Sequence, residues 1–282
     1  MKKLKSIGFA MLYLVIPIAL QFLLGFMISC QIIVQRFFGG SGFDVDAVQQ
    51  KLGSSQFNII LVALLNLILI LSMGLWYFFI RVRGECREIP YRKILSARSL
   101  LCTFGLAVCG QFLCNIIMLM FRVVFPKTYE GYLELAEGLD IHVLPAWAML
   151  FIVAVWSPLA EEIVFRAMIY RTLRKGFAFL PAALISGILF GAYHMNWVQG
   201  VYAAALGILL AFVYEKTNSL LGCYLFHFMF NLSSYAIEAL QKVTVIPAVL
   251  LGLFLLAMHV VSVVGIGFLI WRFARMYEKP KK

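Results

Sequence analysis

Long apolar runs, each closed by charged or turn-forming residues, repeat along the whole chain. They cover 7–34, 57–80, 99–125, 145–170, 179–195, 198–214, 218–237 and 246–271. Runs of about eighteen residues or more are long enough to cross hydrocarbon as helices. In lipid every backbone N–H and C=O must be paired within the protein, so only helices or closed barrels can span it. Barrel strands would show short segments of alternating polarity, and no such alternation is present. The pattern predicts an all-α polytopic membrane protein of about eight transmembrane helices. Only Asn196-Trp197 separates the fifth run from the sixth, so these two could also form one broken helix. The first run follows Met1-Lys2-Lys3-Leu4-Lys5 and superficially resembles a signal peptide. Its length, and the lack of a small-residue cleavage site, predict a retained first span.

Composition sharpens this picture. Of the 282 residues 63% are hydrophobic and 13% charged, whereas soluble domains are about half apolar and a quarter charged. A single membrane-embedded domain over 1–282 is expected, with no room for a separate soluble one. The net charge of +11 comes from basic residues at the run ends, not from a basic patch interleaved with aromatics, so nucleic acid is not an expected partner and the lipid bilayer is. With the N-terminus inside, cytoplasmic segments collect 18 of the 24 basic residues: Lys2, Lys3, Lys5; Arg81, Arg83, Arg87, Arg92, Lys93, Arg98; Arg171, Arg174, Lys175; Lys216; and Arg272, Arg275, Lys279, Lys281, Lys282. The outer loops hold Arg36, Lys51, Lys127 and Lys242. The positive-inside rule therefore predicts an integral membrane protein with both termini cytoplasmic. Glu130, Glu134, Glu137 and Asp140 read as a solvated acidic face of the third outer loop. Cys30, Cys86, Cys102, Cys109, Cys114 and Cys223 contain no C-x-x-C pair, and read as small hydrophobes rather than a disulfide frame or metal site.

Ionisable side chains inside a span are costly, so they are candidate functional groups. The fourth run contains Glu161, Glu162 and Arg166. Glu161 stands ten residues from Arg171 at the cytoplasmic edge, about 15 Å deep at helical rise. Glu162 and Arg166 are four apart and share a helix face, which suits a buried ion pair that fixes packing. Glu161 points about 100° away and has no partner at helical spacing. In the fifth run, Ala183, Gly187 and Gly191 form a small-residue stripe on which His194 also lies. In the seventh, His227 and Asn231 share a face that continues to Ser234. Taken alone, His194 fits a hydrogen-bonded core histidine as well as a catalytic one, and the His227–Asn231 pair fits interhelical glue. His142 and His259 read as structural. No internal repeat is present and no pair of spans is broken at corresponding positions, which weakens a transporter reading.

Three patterns in this order, Glu161-Glu162-x-x-x-Arg166, Phe190-x-x-x-His194 and His227-x-x-x-Asn231, resemble the signature of the CPBP family. This is the CAAX-protease and bacteriocin-processing group of intramembrane proteases, related to the eukaryotic Ras-converting CAAX endopeptidase. The resemblance covers about 145–235, the expected catalytic core. It implies an eight-span helical fold and a hydrolase acting as an endopeptidase on a peptide or protein substrate at the membrane. It also implies Glu161 as the catalytic carboxylate, with His194 helping to hold and activate a water, and His227 with Asn231 stabilising the oxyanion. The chemistry agrees, since peptide hydrolysis needs a base for water and donors where negative charge develops. No cofactor is the preferred expectation. A divalent metal such as zinc, held by Glu161, His194 and His227, is the alternative, although no H-E-x-x-H motif is present. A non-catalytic bacteriocin self-immunity or scaffold protein is the alternative function, and a proton-coupled transporter the third. The compact module without an N-terminal extension suggests a prokaryotic plasma membrane.

Overall fold

The computed structural model of the protein describes residues 1–38, 45–82, 89–138, 144–242 and 247–278. Arg83, Arg87, Cys86, Asp140, His142, Lys279, Lys281 and Lys282 lie outside these residues, as do the side chains of Arg36, Arg81 and Glu137. Helices account for nearly all of what is described, and no strand occurs among the described residues. In chain order they are α1 (Lys2–Phe38), α2 (Val45–Leu52), α3 (Ser55–Val82), α4 (Tyr91–Ile94), α5 (Ala97–Val124) and α6 (Pro126–Gly138). Then come α7 (Ala146–Arg174), α8 (Phe179–Tyr193), α9 (Trp197–Thr217), α10 (Leu220–Gln241) and α11 (Ala248–Met276).

Seven of these are long and apolar enough to cross a membrane. Their outward side chains are those of a chain solvated by lipid: Phe22, Phe26, Leu101 and Val264 are between 67% and 76% exposed, where a water-soluble protein would not gather so much apolar surface. The protein is an integral membrane protein. Enclosure is uneven: 44% of the most apolar stretch of α9 is buried against 6% for α11, and α5, α7, α9 and α10 are the most enclosed spans while α11 lies at the edge.

The expected fifth span is the exception. α8 has 15 residues, about 22 Å at helical rise, short of a hydrocarbon core of about 30 Å. It ends because Met195 turns left-handed, with φ of 52°, and Asn196 then caps α9 by accepting the Gln199 N–H at 3.0 Å. Two helices joined by a tight turn result, rather than one broken helix. They run antiparallel at backbone contact, for a Cβ on Gly191 would overlap the Gly200 carbonyl oxygen and one on Gly207 would stand 2.9 Å from Gly187 Cα.

Contacts gather the basic segments at one end of the bundle. Ser6 and the Lys2 carbonyl border Gly176, the Ile89 N–H reaches the Thr217 carbonyl at 3.4 Å, and Ser99 bonds Tyr277 at 2.6 Å. At this end Arg174 and Glu215 form a two-pronged ion pair, with Nη2–Oε1 at 2.7 Å and Nε–Oε2 at 2.9 Å, which Tyr170 joins at 2.7 Å. It clamps α7 to α9. Tryptophans mark both levels where a membrane would change character: Trp76 and Trp271 toward the basic end, 58% and 55% exposed, and Trp147 and Trp197 at the opposite end, 73% and 80% exposed. The fifth, Trp156, turns inward and donates to the Ala63 carbonyl at 3.2 Å.

The close approach of α8 and α9 sets an expectation for stability. Gly191→Ala should destabilise the protein by about 1–3 kcal/mol, the usual cost of overpacking, read as a lower Tm in detergent. Gly252→Ala, which meets nothing within 4 Å, should leave Tm unchanged or slightly raised. Equal effects of the two substitutions would contradict the backbone contact.

Candidate active site

The site begins with a break in helical regularity. In α7 the backbone passes from α-helical turns into π-helical turns at Phe151–Trp156, returns to α over Ser157–Glu162, and is π-helical again at Ile163–Tyr170. Such turns insert a residue into the helix and recur at functional sites. Pro158 gives a local cause for the first. The Ser157 N–H bonds the Ile152 carbonyl, so in this register the Val153 carbonyl should receive the N–H of residue 158, and proline has none. Asn231 of α10 supplies the missing donor, its Nδ2 lying 2.8 Å from the Val153 oxygen.

One turn beyond, Glu162 and Arg166 are both fully buried, with Oε2 and Nε 3.1 Å apart. The expected pair forms, but it is not aligned as a hydrogen bond, and none of the three Arg166 nitrogens has such a partner among the described residues. The attraction is Coulombic, and the guanidinium is sheathed by the rings of Phe190 at 4.9 Å and Phe165 at 6.0 Å. Cation–π attraction of this kind is strongest when the pair is desolvated.

Glu162 has a second duty that its spacing from Arg166 did not reveal. Its Oε1 lies 2.8 Å from His227 Nδ1. With Glu162 ionised opposite Arg166, Nδ1 is the donor, and Nε2 is left facing Glu161 Oε2 at 3.7 Å. One imidazole thus bridges the adjacent carboxylates from α10. Glu161 differs from Glu162 in solvation: its side chain is 19% exposed against 0% for Glu162.

His194 lies half-buried at the end of α8. Its Nδ1 is 2.8 Å from the Phe190 carbonyl. A carbonyl can only accept, so Nδ1 donates, which leaves Nε2 as the ring nitrogen open to a further partner. Phe190 is the hub between the two histidines, edge-to-face with His194 at 4.9 Å and with His227 at 5.9 Å. Tyr193, beside His194, lies within electrostatic reach of Glu161.

Of the residues singled out by sequence, Glu161, Glu162, Arg166 and His227 are in direct contact, and His194 joins them through Phe190. Asn231 lies one turn along α10 from His227 and is engaged with α7 backbone. His259 has a structural setting, donating to the Leu255 carbonyl at 2.7 Å and packing edge-on to Phe112 at 4.8 Å. Two contributors were missed. Phe190 stood in the quoted motif but went unread, and Pro158 was the signal for the orphaned Val153 carbonyl. A third contact, Asn66 Nδ2 to Ser157 Oγ at 2.9 Å, ties α3 to the turn that carries the glutamates.

Among the described residues no three His, Cys, Asp or Glu side chains converge as metal ligands. His227 Nδ1 is committed to Glu162 and His194 Nδ1 to a backbone carbonyl, which leaves each Nε2 free, as in histidines that ligate metals, so Glu161, His194 and His227 stay the alternative ligand set.

Comparison with known proteins agrees with this region. The family described as type II CAAX prenyl endopeptidase, Rce1-like, matches residues 143–233. A Bacillus subtilis (strain 168) protein named "Putative membrane peptidase YdiL" is 31% identical over 83 residues, covering 29% of this chain and 34% of that protein. The chain therefore matches only about a third of that relative's length. No solved structure matches the chain. The family match contains all three motifs and the site residues of α7, α8 and α10, and over residues 143–233 the chain is similar to the CPBP/CAAX proteases.

Proposed function

We propose that the protein is an intramembrane endopeptidase that hydrolyses membrane-associated or exported peptides with a water activated by Glu161. The observation that carries this reading is the contrast between the adjacent carboxylates. Glu162 is sealed and committed to Arg166 and His227, while Glu161 is partly exposed, with an imidazole nitrogen 3.7 Å away. One glutamate is built as a support and the other is left able to take a proton.

In the proposed reaction a water held between Glu161 and His194 Nε2 gives a proton to Glu161 as its oxygen attacks the peptide carbonyl. The resulting oxyanion is met by Asn231 and His227. An asparagine amide has two N–H groups: one is bound to Val153, which fixes the direction of the second. His227 can donate from Nε2 only when its ring carries both protons, because Nδ1–H is already given to Glu162. Collapse of the tetrahedral intermediate breaks the C–N bond, and the proton on Glu161 passes to the leaving amine. No step is routed through a metal. The basic end of the bundle is proposed to face the cytoplasm, as in a prokaryotic plasma membrane.

The two glutamates should separate in mutagenesis. Glu161→Gln removes the base and preserves shape, so cleavage should fall by orders of magnitude while the amount of folded protein is unchanged. Glu162→Gln strands Arg166 in the core and should cost about 3–5 kcal/mol of stability, read as loss of monodisperse protein in detergent. Full biological activity of Glu161→Gln protein would favour the non-catalytic immunity or scaffold reading.

The oxyanion role and the metal alternative make opposite demands. Asn231→Ala should lower kcat by about 10²–10³, the typical loss for one oxyanion donor, with little change in KM. Prolonged chelation should leave activity intact. One tightly bound zinc per chain, with activity lost on its removal and restored on its return, would overturn the roles assigned here.

A further inference from the structure

Glu161 stands at the boundary between two unlike parts of the bundle. Toward the basic end the site rests on closed packing, with Ile169, Leu173, Leu210, Val213, Cys223 and Phe226 each at most 1% exposed. Toward the opposite end α10 continues its polar face from His227 through Asn231 to Ser234, and the last two are only half-buried. α5 faces them with two amides. Gln111 donates from Nε2 to Asn115 Oδ1 and to Ser234 Oγ, each at 3.4 Å, long for such bonds.

The other half of the Gln111 amide is stranded. Gln111 is 8% exposed, and its Oε1 is buried without a hydrogen-bond partner among the described residues. Burying an amide between apolar helices with loose donors and an orphan acceptor is unfavourable unless something else completes the set. Water, or the N–H of an extended peptide, has the required chemistry. The position also fits, because an unwound peptide main chain at membrane depth is tolerated only along a polar or hydrated lining.

We propose that Gln111, Asn115 and Ser234 line a hydrated approach by which water and the substrate's main chain reach Glu161 from the end of the bundle that carries α6 and Gln241. This rests on the peptidase reading of Glu161 and extends it to a substrate class: a peptide presented on the face opposite the basic end. With the basic end in the cytoplasm, that is the exported face.

The test reads access, not cleavage, so it can fail while the peptidase reading stands, and the reverse. Single cysteines replace Asn115 or Ser234 in full-length protein whose six native cysteines are removed. A charged, membrane-impermeant methanethiosulfonate is applied to either side of sealed membranes, without detergent. Glu134→Cys, exposed on α6, and Lys175→Cys, exposed at the basic end, report which side is which. Asn115→Cys and Ser234→Cys should be modified from the Glu134 side, and this modification should be lost when the reagent is confined to the Lys175 side. Adding Gln111→Leu, which removes the stranded acceptor, should slow the modification of Ser234→Cys. Reaction from the Lys175 side, from both sides equally, or from neither while both reporters react would overturn the proposal.

Discussion

A guanidinium buried at zero exposure among membrane helices is the constraint on which the rest of this architecture depends. Arg166 cannot be left alone there, because an unpaired charge in low dielectric costs several kcal/mol even after relaxation. Glu162 neutralises it, yet the contact is out of line for a hydrogen bond. The π-helical turns that begin at Ile163 account for this, since they rotate residue 166 away from the direct i, i+4 alignment of an α-helix. The faces of Phe190 and Phe165 fill the remaining directions. Glu162 keeps its second oxygen for His227, so one carboxylate neutralises the charge of α7 and orients the imidazole of α10.

That network places demands on the helices around it. Phe190 must reach both Arg166 and the two imidazoles, and it does so because Gly187 and Gly191 of α8 let the helix lie directly against α9. A side chain at Gly191 would push α8 outward and take Phe190, and His194 one turn beyond, with it. The small-residue stripe is thus a positioning device for the site as well as a packing motif. The clamp of Tyr170, Arg174 and Glu215 holds α7 against α9 at the basic end, below the level where charge has been buried.

Much of this was legible in the sequence, and the parts that were not share a physical reason. Apolar run length and the distribution of Lys and Arg located the helices, because lipid imposes a length and a polarity that few other environments do. The spacing of Glu162 and Arg166 gave their pairing, and the stripe through Gly187 and Gly191 gave the close helix contact. Helical periodicity could not reveal the departures from itself. The π-helical turns, the left-handed Met195 that stops α8 short, and the bond from Asn231 to the Val153 carbonyl all arise where regular spacing fails. Nor could spacing within one helix show that His227 of another would claim Glu162, so a residue read as a simple ion-pair partner proved to be the support of a proposed catalytic group.

The same reasoning bears on why Asn231 is an asparagine. If it only filled the vacancy left by Pro158, serine or threonine would supply the one donor needed. If it only met an oxyanion, tying its amide to backbone would waste half of its capacity. An amide with two N–H groups can satisfy both demands of the proposed mechanism, and the bond to Val153 removes rotational freedom that would weaken the second donor. Preorganised donors act on developing charge without reorganising at the moment of reaction, and in the proposed mechanism that preorganisation would come from a helical defect. Pro158 lies three residues before Glu161 in the same helix. The residue that frees the carbonyl thus sits beside the proposed base, and the side chain that answers it comes from the helix carrying His227. In this reading a break in the backbone ladder of α7 sets the distance and direction between the group that activates water and a group that receives the negative charge.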